Sequence, residues 1–396
     1  MDEKRIFGLR KNVFFLGLVS LFNDFSNEMI QSVMPVFMAT VLGVPPVAIG
    51  AIEGVAYAVA SFLRIFSGWL SDRFGRRKAF AVIGYIISVS VRPIYAFASS
   101  FSSIVKLRII DRVGKGFRES PRDALLSESS DHKELGKSFG YHRSMDAIGG
   151  IMGPALAVIL LPFLGGSYRS LFLIAFAIGL FSIISFFFVS ETRKAPVPAK
   201  HISRFNTAVF KDNKNFTYFL SAIFIFGMGT LPITLVLLRP LEVGASVFII
   251  PFMYLVFSFT FVIAAIPFGR LSDKIGERLV IPFGFFIALS AYFILALSSS
   301  MLLIILAFSL LGVASAATDG VERALVSKLI KPELLATGQG FLHASVGLSS
   351  LLSGVLGGLI WTIFGSGYAF IFSAGFSLLG LVFFISVITT KNRHSF

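Results

Sequence analysis

Between Arg108 and Asp123 the sequence places eight ionisable residues: Arg108, Asp111, Arg112, Lys115, Arg118, Glu119, Arg122 and Asp123. Wound as a helix at about 100° per residue, all eight fall within an arc of about 140°. The opposite face holds Ile109, Ile110, Val113 and Phe117, with Gly114, Ser120 and Pro121. Five cations against three carboxylates leave the charged flank net positive. Guanidinium and ammonium groups held in poorly solvated space bind carboxylate or phosphate groups. Arg112, Lys115, Arg118 and Glu119 are the ligand-binding groups this pattern points to. The plainer alternative is an internal salt-bridge ladder, Asp111–Lys115 and Lys115–Glu119.

A second set of groups lies nearer the start of the chain. Asp24 and Glu28 are one helical turn apart and share a face with Ser20, Asn27 and Gln31. Two carboxylates so close repel, which suits one of them to loading and releasing a proton. Asp24 or Glu28 is expected to pair with Lys115 or Arg112, and Asn27 and Gln31 join the binding set. The string GYHRSMDAIGGIMGP from Gly140 puts His142, Asp146, Gly149 and Gly153 on one face, with Arg143 beside them. Histidine titrates near physiological pH, so His142 and Asp146 form a candidate proton relay. Asp24, Asp146, His142 and the lone His343 are also hard O/N ligands. No compact motif ties them together, so neither a metal nor any cofactor is expected. Glu53 and His343 receive no role.

The elements that hold these groups follow from composition. The chain has 396 residues, 55% hydrophobic and 14% charged, with a mean hydropathy of +0.84. Soluble domains carry roughly a quarter charged residues. Apolar stretches long enough to cross about 30 Å of hydrocarbon recur along the chain. The spans expected in the first half are 12–42, 46–71, 79–99, 102–126, 138–162 and 169–190. Those of the second are 215–238, 245–271, 279–298, 301–326, 336–362 and 367–390. Charges at that depth cost about 2.5–3.5 kcal/mol each, so they mark protein interiors and function.

The net charge of +14 does not point to nucleic acid. It sits at the N-terminus, in alternate connections such as Arg73 to Lys78, in the 191–214 stretch and at Lys391 and Arg393. The intervening connections are nearly uncharged, which is the positive-inside pattern. Both termini are therefore expected in the cytoplasm, with the chain in the cytoplasmic (inner) membrane of a bacterium. Met1 to Asn12 is too short and charged for a cleaved signal peptide. With no cysteine there is no disulfide or thiolate chemistry. No nucleophile–base motif and no phosphate loop are present, so neither an enzyme nor an ATP-driven pump is expected.

The polar stretch 191–214, with Pro196 and Pro198, reads as a linker between residues 1–190 and 215–396. The halves repeat. GWLSDRFGRRK begins at Gly68 and GRLSDKIGER at Gly269; further on the offset is 200, as in Ala124/Ala324, Leu125/Leu325, Leu135/Leu335 and Gly140/Gly340. An even number of spans per repeat keeps both halves in the same orientation.

Six plus six spans, with this Gly-x-Leu-x-Asp-Arg-x-Gly-Arg-Arg string after the second span, resemble the major facilitator superfamily. The first copy matches at Gly68, Asp72, Arg73, Gly75, Arg76, Arg77 and Lys78; the second keeps Gly269, Asp273, Lys274, Gly276 and Arg278. The resemblance implies an all-α membrane protein of twelve transmembrane helices in two pseudo-symmetric six-helix bundles. It further implies that spans 1, 4, 7 and 10 line a central cavity, and that the motif is a latch between alternating states. Gly68, Asp72, Arg73, Arg76, Arg77, Arg122, Asp123, Gly269, Asp273, Glu322 and Arg323 are the expected gating residues, with Glu322 and Arg323 facing the motif aspartates. Arg108, Gly114 and Gly116 resemble the span-four signature, and Gly140, Gly149, Gly153 and Pro154 part of an antiporter signature. In span ten the cations become Phe308, Gly312, Ser315 and Thr318, so the second half offers an apolar wall.

The expected function is proton-coupled secondary transport of a small organic solute of anionic character: a carboxylate, a phosphate or a carboxylate-type metal chelate. The alternatives are a multidrug/proton antiporter, a divalent metal transporter, and a channel or sensor. The expected partners are the solute, protons and the lipid bilayer, with the chain acting as a monomer.

Overall fold

A computed structural model describes residues 5–130, 134–191, 213–330 and 334–389. The greater part of the expected linker (192–212), Lys4 and the basic tail residues Lys391 and Arg393 lie outside these. The first half contributes six long helices. They are α1 (Lys11–Gln31), α2 (Pro46–Phe74), α3 (Arg77–Tyr95), α4 (Phe101–Glu128), α5 (Leu135–Phe163) and α6 (Tyr168–Phe186). The second contributes α7 (Lys214–Gly229), α8 (Ile250–Ile275), α9 (Glu277–Leu297), α10 (Met301–Leu329), α11 (Leu335–Phe364) and α12 (Ser366–Phe384). Ten helical stretches among the described residues are long and apolar enough to cross a membrane. Helices α1 and α4 fall outside that set because they carry the polar and ionisable groups.

The repeat holds at the level of elements. Helices α4 and α10 begin at Phe101 and Met301, and α5 and α11 at Leu135 and Leu335, 200 residues apart in each case. The α3–α4 crossing is tight because a Cβ at Gly84 would lie 2.7 Å from both Gly114 O and Arg118 N. Its counterpart Gly284 would meet Thr318 Cγ2 at the same distance across α9 and α10. Small residues at such crossings let helices approach within lipid, where burial of apolar surface supplies no drive.

Two expected spans are not continuous. Instead of 12–42, α1 stops at Gln31, and a short turn (Met34–Val36) and a π-turn (Phe37–Val41) follow. Instead of 215–238, α7 stops at Gly229 and resumes as Ile233–Val236. The cause is the same in both. Pro35 and Pro232 have no N–H for the carbonyl four residues back, and their rings crowd it. One further element stands outside the all-α expectation: β1 (Arg5–Ile6) pairs antiparallel with β2 (Leu9–Arg10). Phe7 and Gly8, at φ 49° and 74°, turn this hairpin, and two such residues in succession match strand twist.

Contacts divide the chain into two compact units, Met1–Leu42 with Val59–Ile202, and Gly43–Ala58 with Ser203–Phe396. In the first, α1 packs on α5 and α6, and α3 on α4. In the second, α10 packs on α8 and α9, and α12 on α7 and α9.

Candidate functional site

The charged flank of α4 is divided between two sets of partners. Arg108, Asp111, Arg112 and Arg118 are buried, while Ile110 on the opposite face is exposed. Arg108 Nη2 donates to Gln31 Oε1 of α1 at 3.0 Å. Arg118 Nη1 donates to Ser88 Oγ of α3 at 2.7 Å, and its guanidinium stands 4.8 Å over the Tyr85 ring. Asp111 lies in the field of Arg112, Arg108, Arg118 and Arg92. The expected Asp111–Lys115 rung is absent among the described residues, because Asp111 is drawn into that arginine cluster. Lys115 Nζ lies 3.8 Å from Glu119 Oε1, and Glu119 is held more closely by Arg64 of α2. Arg122 closes on Asp123 at 2.8 Å. Among the described residues Arg112 makes no hydrogen bond or ion pair, although only 9% of it is accessible. Its donor fork is open.

On α1, Asp24 accepts a hydrogen bond from Asn23 Nδ2 at 2.8 Å, and Asn23 Oδ1 accepts one from Arg92 Nη2 at 2.7 Å. Arginine has donors only, so the Asn23 oxygen must face Arg92 and its amide nitrogen must face Asp24. Glu28 Oε1 accepts from Asn27 Nδ2 at 2.7 Å. Among the described residues Asp24 forms no ion pair with Lys115 or Arg112, although Lys115 lies in the field of both Asp24 and Glu28. A carboxylate of α5 also stands in the field of Asp24. A Cβ at Gly149 would lie 2.5 Å from Leu21 O, and one at Gly153 would lie 2.6 Å from Phe25 O. The α1 and α5 backbones therefore touch, and Asp146, one turn before Gly149, comes within the field of Asp24. The Ser20 hydroxyl donates to Asp146 Oδ1. His142 Nδ1 and Arg143 Nη1 lie 3.6 Å and 3.8 Å from Asp146 Oδ2. His343 belongs to α11, in the other unit. Among the described residues no three His, Cys, Asp or Glu side chains converge as a metal site.

The motif residues are partly tied within their own units. A Cβ at Gly68 would meet Ser120 Oγ at 2.5 Å, so this glycine is a crossing point of α2 and α4. The Asp72 side chain lies outside the described atoms. Arg73 stands 5.4 Å over the Trp69 ring, and Arg76 is exposed. Arg77 pairs with Glu128 at 3.3 Å, and Lys78 Nζ donates to Val189 O at 2.6 Å. In the second copy Gly269 meets open space and Asp273 is exposed. Arg323 does not face Asp273: it pairs with Asp319, one turn earlier on its own helix, at 2.6 Å. An i,i+4 partner is held at short range by the helix itself. Glu322 is buried beside them.

Comparison with known proteins decides the family. The family model for the Major Facilitator Superfamily matches residues 16–241 and 217–395. The chain belongs to the major facilitator superfamily. An uncharacterized MFS-type transporter of Methanocaldococcus jannaschii is 33% identical over 363 residues, 90% of this chain and 89% of that one. A probable 4-methylmuconolactone transporter of Cupriavidus pinatubonensis is 25% identical, covering 84% and 80%. A crystal structure of a POT family transporter in complex with 5-aminolevulinic acid matches with a TM-score of 0.83 at 13% identity. That match covers 100% of this chain and 99% of that one. The protein is thus an integral membrane transporter of the superfamily, not an enzyme.

For this superfamily member, the sequence reading passed over three side chains that organise the first unit: Asn23, Arg64 and Arg92. Arg92 is 1% accessible, and among the described residues its Nε and Nη1 have no hydrogen-bond partner. The signal was present, since Arg64 and Arg92 are cations inside apolar spans just as Arg112 is. They stand singly, however, without the run of neighbouring charges that marks the α4 stripe.

Proposed function

We propose that this transporter carries a small organic solute of anionic character by alternating access, coupled to protons. Arg112 is the principal anion contact, with Lys115 beside it. One observation carries this reading: Arg112 is nine-tenths buried with its donors uncommitted. A guanidinium in a low-dielectric site costs free energy unless paired, and a carboxylate or phosphate pairs with it bidentately. Arg108 and Arg118 are committed to Gln31 and Ser88, so they orient α4. Asp24 and Asp146, two carboxylates in one field with His142 adjoining, form the protonation site. Glu28, Asn27 and Gln31 extend the polar surface of α1, and Gly68, Asp72, Arg73, Arg76, Arg77, Arg122, Asp123, Gly269, Asp273, Glu322 and Arg323 act at the gates. A small organic solute is also what one relative's name carries, 4-methylmuconolactone. The distribution of Arg and Lys supports a cytoplasmic-membrane location with both termini in the cytoplasm, and the chain works as a monomer.

The test is a thermal-shift screen of purified protein against organic acids, phosphates, chelates and cationic drugs at two pH values. Stabilisation by an anion that vanishes in Arg112→Gln supports the reading. Stabilisation by cationic drugs alone, or an anion response that Arg112→Gln leaves intact, refutes it. In proteoliposomes, Asp24→Asn and Asp146→Asn should abolish proton-driven accumulation while sparing exchange. Unaltered driven uptake in both removes the carboxylates from coupling.

A further inference from the structure

The β1–β2 hairpin at the start of the chain has a seated part and an open tip. Its register pairs Arg5 with Arg10 and Ile6 with Leu9. Leu9 is buried in one apolar cluster with Val13 and Leu16 of α1, which seats the hairpin. Two contacts at the start of α5 fasten it: Lys137 Nζ donates to Gly8 O at 2.9 Å, and Arg5 Nη1 meets Glu134 Oε1 at 3.2 Å. Phe7 at the tip is left open. It is 90% accessible and, among the described residues, the one non-glycine residue with positive φ. A bulky side chain is rarely held in that region, and a position where it is held calls for a use. The turn alone would be served better by Asn or Gly.

The rings beside Phe7 indicate what meets it. Phe7, Phe14, Phe15 and Phe188 form a continuous row, with successive centroids 6.0, 5.4 and 4.7 Å apart. The row ends where α6 does. Phe187 and Phe188 are 80% and 48% accessible, and Asn12 bonds to both backbone groups of Ser190, at 3.0 and 2.9 Å. The first turn of α1 and the end of α6 thus leave the hydrocarbon side by side, and exposed Phe at that level meets lipid.

Charge around the tip fits a lipid surface of opposite sign. Residues 2–11 hold four cations against two carboxylates, and Glu134 is balanced by Lys137. Lys11 is exposed and makes no hydrogen bond or ion pair among the described residues. Lys78, of the basic loop before α3, donates to Val189 O at this same end, so the hairpin lies on the membrane face where the chain's positive charge collects. We infer that the β1–β2 hairpin is a membrane-surface anchor: Phe7 enters the headgroup–acyl boundary while Arg5, Arg10 and Lys11 bind the phosphate groups of anionic lipids. An apolar side chain set among basic ones is the chemistry of interfacial anchoring. This anchor is additional to the anion reading and independent of it.

The experiment uses the full chain. Phe7→Trp in nanodiscs of phosphatidylglycerol and phosphatidylcholine reads position, with the wild-type emission of Trp69 and Trp361 subtracted. Bromination of the acyl chains should quench the added emission at least about twofold, since interfacial side chains lie roughly 5–10 Å into the boundary. Native mass spectrometry reads charge. The wild type should bind phosphatidylglycerol in preference to phosphatidylcholine. The triple variant Arg5→Gln, Arg10→Gln, Lys11→Gln should lower that preference at least about fivefold, the worth of one basic residue near an anionic surface. Because loss of the Arg5–Glu134 contact can loosen the hairpin, Lys11→Gln alone, which breaks no contact, should lower it in the same direction. Arg112→Gln should leave both readouts intact while removing the response to soluble anions, so failure of either reading is separately visible. Emission insensitive to bromine overturns the inference and leaves the tip to a soluble partner or a second copy. A wild-type lipid preference in the triple variant also overturns it. So does displacement of phosphatidylglycerol by inorganic phosphate, which would mark a site for the free ion.

Discussion

Lys328 Nζ meets Glu277 Oε1 at 2.6 Å, and 200 positions earlier Arg77 Nη1 meets Glu128 Oε1 at 3.3 Å. The repeat has kept the ion pair and exchanged its charges. In each copy the carboxylate side chain is 5% accessible and the cation is the more exposed partner. Each pair ties the start of one helix to the end of the next, α3 to α4 and α9 to α10.

A buried carboxylate stripped of its partner is costly, so Glu277→Lys should lower the melting temperature sharply. Removal of the cation should cost about 1–3 kcal/mol at Arg77 and less at the more exposed Lys328. The double reversal Glu277→Lys with Lys328→Glu should recover most of the loss. A reversed pair no more stable than Glu277→Lys alone would show that the contact is incidental.

The Arg92–Asn23–Asp24 chain of hydrogen bonds makes a separate prediction. Asn23→Leu removes the donor to Asp24 Oδ1, and a carboxylate without that donor is more readily protonated. Labelling of Asp24 by a hydrophobic carbodiimide, which reacts with protonated carboxyls, should rise several-fold at neutral pH. Arg92→Met should raise it in the same direction, and the double variant should add little, because both act through one amide. Equal labelling in all four proteins would mean that Asn23 does not govern Asp24.

How much of this was legible depends on whether the cause was local. Helix limits and the repeat follow from apolar length and a constant offset, both visible in the chain. Pro35 and Pro232 were equally visible, and reading 12–42 and 215–238 as unbroken overlooked them. The pairing of charges was not visible. Asp24 has Glu28 one turn away, yet Asp146 of α5 enters its field because two glycines let the α1 and α5 backbones touch. Arg323 looked free to reach across to Asp273 and instead closed on Asp319. Such choices are made by helix approach, which no single-chain periodicity records.

The glycines of α5 allow that point to be tested. Gly149 and Gly153 abut the α1 backbone, whereas a Cβ at Gly140 would meet nothing within 4 Å. Gly140→Ala should be neutral or stabilising by up to about 1 kcal/mol, the helix-propensity gain. Gly149→Ala and Gly153→Ala must push two backbones apart and should each cost more than that gain returns. Thermal melts of the three variants decide it, and a tolerated Gly153→Ala would show that α1 yields.

Arg112 and Arg118 lie less than two turns apart on α4 but should respond oppositely to substitution. Arg118 is held by the Ser88 hydroxyl and the Tyr85 ring, so Arg118→Met loses a charged hydrogen bond and a cation–π contact, together about 2–3 kcal/mol. That loss is paid in stability of the free protein, and anion-induced stabilisation should persist above the lowered baseline. Arg112 makes no hydrogen bond or ion pair among the described residues and shares the field of Asp111 with Arg108, Arg118 and Arg92, so Arg112→Gln should change the stability of the free protein less than Arg118→Met does. Its anion response should disappear. Melting curves with and without the stabilising anion separate the two cases. If Arg118→Met abolished the response while Arg112→Gln preserved it, the recognition surface would lie on the α3 side of α4, and the roles of the two arginines would have to be exchanged.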